Sequence, residues 1–200
     1  MGLTLEYPDG ATPLSHEDLL ALIPSHITTQ GQLNEWEFVN VGKGERWAFA
    51  RRQENILSIG FMWSLHKQMF GDTWKWAGAT RIRETIPGVA PETIEVETKK
   101  LCENVKVQLE HKSWAIDEIA ARFHHLLVKI HPFPNGNGRF SRTMTDLLLV
   151  RNNADRFTWG EGDLISDSEV RKRYISGLRS ADEKNYGPLF AFVRSVGRRT

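Results

Sequence analysis

The stretch His131-Pro132-Phe133-Pro134-Asn135-Gly136-Asn137-Gly138-Arg139-Phe140-Ser141-Arg142 concentrates most of the chemistry this sequence offers. An imidazole stands at one end, guanidiniums stand at the other, and two Asn-Gly pairs lie between them. Glycine reaches positive φ at little steric cost, so successive N–H groups can line one hollow. A helix starting near Gly138 adds its first-turn donors and the positive end of its dipole to that hollow. Arg139 and Arg142 are three positions apart and leave such a helix on one face. Backbone donors with two guanidiniums suit a polyphosphate. His131, whose ordinary pKa lies near neutrality, suits removal of a proton from an attacking hydroxyl. The pattern reads as a base beside an anion hole.

Two helices must carry this loop. Ile116, Ile119, Phe123, Leu127 and Ile130 recur at spacings of three and four, which predicts a helix buried on most sides. Pro132 and Pro134 end it. The next helix is expected near Gly138 and runs through Leu147-Leu148-Leu149-Val150. Upstream, Ser15 followed by Glu17 and Asp18 predicts a capped short helix over Leu19 to Leu22, ended by Pro24. Gly42 and Gly44 predict a break before a longer helix from Glu45 to Phe70, stopped by Gly71-Asp72. The segment from Thr80 to Val96, rich in Thr, Ile and Val around Pro87-Gly88, predicts a hairpin. Helices over Glu97 to Glu110, around Val170, Tyr174 and Leu178, and from Tyr186 to Val196 complete the reading. The fold class is all-α, a helical bundle with one small β-hairpin. The first dozen residues read as a loose arm. Residues 1–44 form an N-terminal extension packed on a single globular unit over residues 45–200.

Composition narrows the function. Two hundred residues with 40% hydrophobic and 26% charged side chains describe a soluble globular domain. A formal charge of +1 excludes nucleic-acid binding by bulk charge, and no direct nucleic-acid contact is expected. Cys102 is the single cysteine, which excludes a disulfide framework and a cysteine zinc cage. No apolar run approaches the ~18–20 residues that cross a bilayer, so no membrane partner is expected. The start MGLTLEYPDG lacks a secretory plan, and the cytoplasm is the expected location. The adjacent His124 and His125 point to different helix faces and read as packing, not as a zinc pair. Trp63, Trp74 and Trp76 read as core, and Arg171, Lys172 and Arg173 as solvated.

HPFPNGNGRFSR resembles the signature of Fic-domain proteins, H-x-F-x-(Asp/Glu)-G-N-G-R-x-x-R, and the resemblance extends over about residues 45–197. Leu33-Asn34-Glu35, Met69-Phe70-Gly71-Asp72, Trp74-Lys75-Trp76-Ala77-Gly78, His124-His125 and Phe157-Thr158-Trp159-Gly160 are similar to the subfamily called mobile mystery protein B. The resemblance implies the Fic fold and a protein adenylyltransferase, which moves AMP from ATP to a protein hydroxyl. By the same comparison His131 is the base and Phe133 a core anchor of the loop. Gly136, Asn137 and Gly138 cradle the phosphates, and Arg139 and Arg142 neutralise the outer two. Tyr174 and Asp182 stand near the adenosine. The hairpin over residues 80–96 is the flap on which a protein target lies as an added strand.

Asn135 departs from the signature, which has Asp or Glu there as the Mg²⁺ ligand. An amide oxygen brings no charge, so weak Mg²⁺ binding held largely by the nucleotide is expected. Many Fic proteins carry an inhibitory glutamate that pairs with the second motif arginine. Ala50-Arg51-Arg52-Gln53-Glu54-Asn55 fits that pattern except at its first position, which makes Glu54 the candidate brake on Arg142. Rival readings are a nucleotide-binding regulatory module with little catalysis, and a toxin paired with a separate antitoxin. A third is phosphate transfer as in the Doc branch, against which Gly136 to Arg139 argue.

Overall fold

Helix α5 (Ile116–Ile130) is the axis of the molecule, because its apolar surface is too wide to be covered from one side. Ile119, Phe123, Leu127 and Ile130 are buried, and Ala120 and Ala121 let neighbouring helices approach. Helices α4 (Ile94–Glu110), α6 (Asn137–Arg151) and α8 (Gly187–Val193) pack around it. Helix α7 (Glu169–Asp182) closes against α8, and α2 (Gln30–Ala50) lies along α3 (Ile59–Phe70). This computed structural model describes residues 10, 13–165 and 168–196. The expected arm over the first dozen residues lies outside the described residues, apart from Gly10.

The capping residue of α1 (His16–Leu19) is Ser15, as its sequence implies. Its Oγ accepts the Asp18 N–H at 3.1 Å, and Asp18 returns the favour by accepting the Ser15 N–H at 3.2 Å. The helix therefore starts directly after the cap, three residues before the expected Leu19.

Helix α2 runs through Gly42 and Gly44 without the expected break. A Cβ on Gly44 would sit 2.4 Å from Met69 Cγ and 2.8 Å from the Met69 backbone nitrogen. This glycine permits close contact with α3; it does not end α2. The break falls later, over residues 51–58, so the long helix expected from Glu45 to Phe70 is in fact two helices. There the Arg51 carbonyl accepts from Arg151, Asn55 Oδ1 accepts the Leu57 N–H at 3.1 Å, and Ser58 caps α3.

The expected hairpin is also absent. Residues 81–90 carry no strand, and the isolated bridge Leu22–Trp74 is the only β-pairing among the described residues. Buried Arg81 explains the difference. Its guanidinium donates to the carbonyls of Arg83 (2.7 Å) and Val89 (2.5 Å), acceptors that a hairpin would spend across its ladder. The segment is a loop wound around a cation, and a short 3₁₀ turn at Pro91–Thr93 leads from it into α4. Helix α8 ends at Val193, short of the expected Val196, which is exposed.

The two glycines of α2 predict opposite responses to alanine. A Cβ on Gly42 meets only Arg46 Nη1, at 3.5 Å. Gly42→Ala is therefore expected to stabilise the fold by about 1 kcal/mol through helix propensity. Gly44→Ala is expected to destabilise it by about 2 kcal/mol through overpacking against Met69. Urea unfolding of both variants checks this, and shifts of the same sign would contradict it.

Candidate functional site

The loop between α5 and α6 is fixed by side chains that lie deeper than itself. His131 caps α5 in the left-handed region (φ 54°, ψ 61°), and its N–H still donates to Leu127 O at 3.2 Å. Arg81 Nε donates to His131 O at 2.6 Å, and Nη2 reaches Ile130 O at 3.3 Å. A buried cation thus stands at the negative end of the α5 dipole and takes its last carbonyls. Phe133 is wholly buried and stacks on His66, with ring centroids 3.6 Å apart and planes 16° off parallel. His66 Nδ1 accepts the Gly78 N–H at 3.0 Å, so the ring proton is on Nε2, which donates to Asn135 O at 3.1 Å. Asn137 clamps the loop's middle. Its Oδ1 accepts the Phe133 N–H at 3.0 Å, and its Nδ2 donates to Phe133 O at 2.8 Å. Gly136 (φ 79°) precedes α6 where a Cβ would strike the Phe70 ring at 2.5 Å, so only glycine fits. No side chain among the described residues caps α6, which leaves its first-turn donors for a ligand.

These groups border a cleft of about 760 Å³. It gathers His131, Asn135, Gly136, Asn137, Gly138, Arg139 and Arg142 from the loop and α6, with Tyr174 and Asp182 from α7 opposite. Leu164, Ile175 and Leu178 supply an apolar wall beside Tyr174. Arg139 Nη1 donates to Glu37 Oε2 at 2.6 Å, and its guanidinium lies 4.8 Å from the Phe70 ring centre. Arg142 sits over Tyr174 at 5.7 Å and has no carboxylate partner among the described residues. Tyr174 OH is 2.9 Å from His124 Nε2, and Asp182 is 3.0 Å from His125 Nε2 and 3.1 Å from Lys129 Nζ. The histidine pair is therefore structural support for α7. Trp74 is core, whereas Trp63 and Trp76 are half-buried. Arg171 is not simply solvated: its Nη1 donates to Leu164 O at 2.6 Å on the cleft rim.

Glu54 is elsewhere. It sits on the exposed turn after α2 and pairs with Arg51 at 3.1 Å, so it does not reach Arg142. Besides Asp182, the carboxylate that enters the cleft is Glu37 of α2, which the sequence reading passes over. Arg81 and His66 are further functional residues not anticipated. His66 had a legible signal, since it lies four residues from both Met62 and Phe70 on the apolar face of α3. Arg81 and Glu37 had none.

The residues do not build a divalent-cation site of their own. Mg²⁺ asks for carboxylate oxygens with room for water and phosphate. Asn135 Oδ1 accepts the Gly136 N–H at 2.6 Å, and both Glu37 oxygens are occupied by Trp74 and Arg139. No cluster of three His, Cys, Asp or Glu able to hold a metal occurs among the described residues.

Burial pushes the His131 imidazole down to about 4, with repulsion from Arg81 adding to the shift and a hydrogen bond to Val128 O opposing it. The ring is neutral at physiological pH. Its Nδ1 faces the Val128 carbonyl at 3.3 Å, and a carbonyl only accepts, so Nδ1 carries the proton and Nε2 the lone pair. A neutral imidazole with a defined basic atom at the edge of an anion-binding cleft can take a proton from a bound hydroxyl.

Comparison with known proteins shows what the chain as a whole is similar to. Residues 56–149 match the family model described as the Fic/DOC family. The chain is 30% identical over 154 residues to the protein adenylyltransferase fic-1 of Caenorhabditis briggsae, covering 74% of this chain and 28% of that protein. It is 27% identical over 189 residues to the probable protein adenylyltransferase y4lH of Sinorhizobium fredii, covering 86% of this chain and 88% of that one. The chain thus spans less than a third of the nematode relative. Among solved structures, the N-terminal Fic domain of a putative cell filamentation protein from Bartonella quintana, with bound ADP, superposes with a TM-score of 0.66. The identity is 18%, with coverage of 85% of this chain and 86% of that one. Fic-1 of C. elegans superposes at 0.64 with 22% identity, over 86% of this chain and 50% of that one. The fold is that of Fic domains. No helix among the described residues is long and apolar enough to cross a membrane.

The buried histidines predict how stability depends on pH. Burial holds His66 and His124 down at about 3 and His131 at about 4, whereas the unfolded chain protonates each near 6.5. Their stabilisation is complete above pH 6.5 and is lost as the pH falls toward 3–4. Asp146 acts in the opposite sense. Burial beside Trp159 raises its carboxyl to about 6, so the folded chain takes up that proton first. Near pH 5 these four groups give the unfolded chain about two more protons, three from imidazoles less one from the carboxyl, and His125, also lowered by burial, acts in the same sense as the imidazoles. Stability should fall by about 3 kcal/mol per pH unit there. Urea unfolding at stepped pH measures this, and a flat profile between pH 6.5 and 5 would contradict it.

Proposed function

We propose that this chain, which belongs to the Fic/DOC family, is a protein adenylyltransferase that moves AMP from ATP to a hydroxyl side chain of another protein. The observation that carries this is the neutral His131, with its lone pair on Nε2, at the same cleft that receives the α6 N-terminus, Arg139 and Arg142. The outer phosphates of ATP lie on the two guanidiniums and the first-turn N–H groups of α6. The α-phosphate then stands nearest His131. Adenosine lies toward the wall of Tyr174, Ile175 and Leu178, with Asp182 at its edge.

The target hydroxyl approaches across the 81–90 loop, whose Ile86 and Pro87 border the cleft. That loop pairs with no strand among the described residues and leaves Ile82 and Ile86 exposed, which suits docking of an extended target segment. His131 Nε2 takes the hydroxyl proton as the oxygen attacks the α-phosphorus. The bond from that phosphorus to the bridging oxygen breaks, and pyrophosphate leaves. Arg139 and Arg142 neutralise the charge that accumulates on it, in a site already arranged to receive it. Any Mg²⁺ would be held by the nucleotide more than by this chain, whose motif offers the uncharged Asn135 where a carboxylate would bind it.

The catalytic unit is assigned to residues 45–200. Residues 1–44 are assigned to an extension, of which α2 supplies Glu37 to the cleft. We place the chain in the mobile mystery protein B branch and in the cytoplasm. Arg142 lacks a carboxylate partner among the described residues, which favours a brake supplied by a separate protein such as an antitoxin.

Incubation of the protein and a cell lysate with ATP labelled at the α- or the γ-phosphate tests the reaction. Label retained on protein from the α-position alone is expected, and His131→Ala should lower it by about 100-fold or more. Label from the γ-position alone would instead mean phosphate transfer. Label from neither position favours a nucleotide-binding regulatory module, the reading that Asn135 supports. Asn135→Asp restores a charged ligand and should lower the Mg²⁺ concentration needed for half-maximal transfer. An unchanged Mg²⁺ titration would count against the role assigned to Asn135.

A further inference from the structure

Helix α2 brings one carboxylate to the phosphate side of the cleft. Glu37 is only 6% exposed, and both of its oxygens are engaged. Oε2 accepts from Arg139 Nη1 at 2.6 Å, and Oε1 accepts from Trp74 Nε1 at 2.7 Å. The indole behind it is fixed: Trp74 is buried, stacks on Trp76 with ring centroids 5.2 Å apart, and donates its backbone N–H to Phe70 O. Less than one turn along α2, Asn40 Nδ2 reaches Thr73 Oγ1 at 3.3 Å, so the helix is tied to the same segment there as well. Arg139 is constrained on its other side by the face of Phe70.

We propose that Glu37 is a positioning residue for Arg139, and that it makes the cleft selective for nucleotides with phosphates beyond the first. The inference rests on the nucleotide-transfer reading above. A guanidinium has five N–H donors in a rigid fork, and Glu37 engages it at Nη1. With its edge held by Glu37 and its face by Phe70, Arg139 presents its other donors to the cleft in one orientation. A long cationic side chain ordinarily loses rotamer freedom when it grips a ligand. Here that ordering precedes binding, which favours affinity. A carboxylate acting as a removable plug would need a path out of the cleft. Glu37 instead packs against a buried indole on a helix of 21 residues that lies along α3. The pair is thus a permanent part of the wall.

Calorimetric titration of wild type, Glu37→Gln and Glu37→Ala with ATP and with AMP tests the proposal, on both the Arg139 and the Arg139→Ala background. AMP lacks the outer phosphates, so its affinity also reports whether each variant folds. Both Glu37 variants are expected to weaken ATP binding about 10-fold and to leave AMP binding within about two-fold. On the Arg139→Ala background they should have no further effect, the signature of two residues acting as a unit. Tighter ATP binding in Glu37→Gln would make Glu37 a plug and overturn the proposal. Equal losses for ATP and AMP, or losses additive with Arg139→Ala, would show a general structural role and overturn it too. Failure of wild type to bind ATP would instead defeat the underlying nucleotide reading, and this inference with it.

Discussion

The backbone between α5 and α6 carries polar groups that neither helix can satisfy, and the site follows from which side chains satisfy them. The last carbonyls of α5 go to Arg81, both backbone groups of Phe133 go to Asn137, and the Asn135 carbonyl goes to His66. Arg81, Asn137 and His66 are all buried, and a buried polar group left unpaired costs about 1–3 kcal/mol, so these contacts are hard to exchange for others. The loop is consequently held from within the protein. Its supports lie behind it, and the donors of α6 remain for whatever enters the cleft.

One contact sets the loop's geometry and adds to the effect of burial on protonation. Arg81 grips the His131 carbonyl; burial keeps the His131 imidazole uncharged, and the same cation adds a smaller push in that direction. The cation has no carboxylate in that contact; it is balanced by carbonyls and by the C-terminal end of the α5 dipole. The two motif guanidiniums that line the cleft are arranged differently. Arg139 is tied to Glu37 and Phe70, whereas Arg142 sits over the Tyr174 ring and meets no carboxylate among the described residues. The site therefore combines a neutral base, one pre-set guanidinium and one that meets no carboxylate among the described residues, in that spatial order along the loop and α6.

Much of this was legible in the sequence where local rules decide. The limits of α5 follow from apolar spacing and two prolines, and the loop's chemistry follows from its residue types. The misreadings share a cause: the deciding partner is distant in the chain. Gly44 looked like a helix breaker because its role depends on Met69, on another helix. Residues 80–96 have the composition of a hairpin, yet the Arg81 guanidinium takes the carbonyls a ladder would use. Glu54 fitted a sequence pattern, but the turn at residues 51–58 gives it to Arg51. Glu37 is one acidic residue among several on α2, and only the fold shows that it meets Arg139, 102 positions later.

A crystal structure with a non-hydrolysable ATP analogue tests the central claim most directly. The expected complex has the α-phosphorus beside His131 Nε2, the outer phosphates on Arg139 and Arg142, and the base against Tyr174 and Ile175. A nucleotide bound in reverse, with its terminal phosphate beside His131, or one seated outside the cleft while the loop stays as it is, would contradict it.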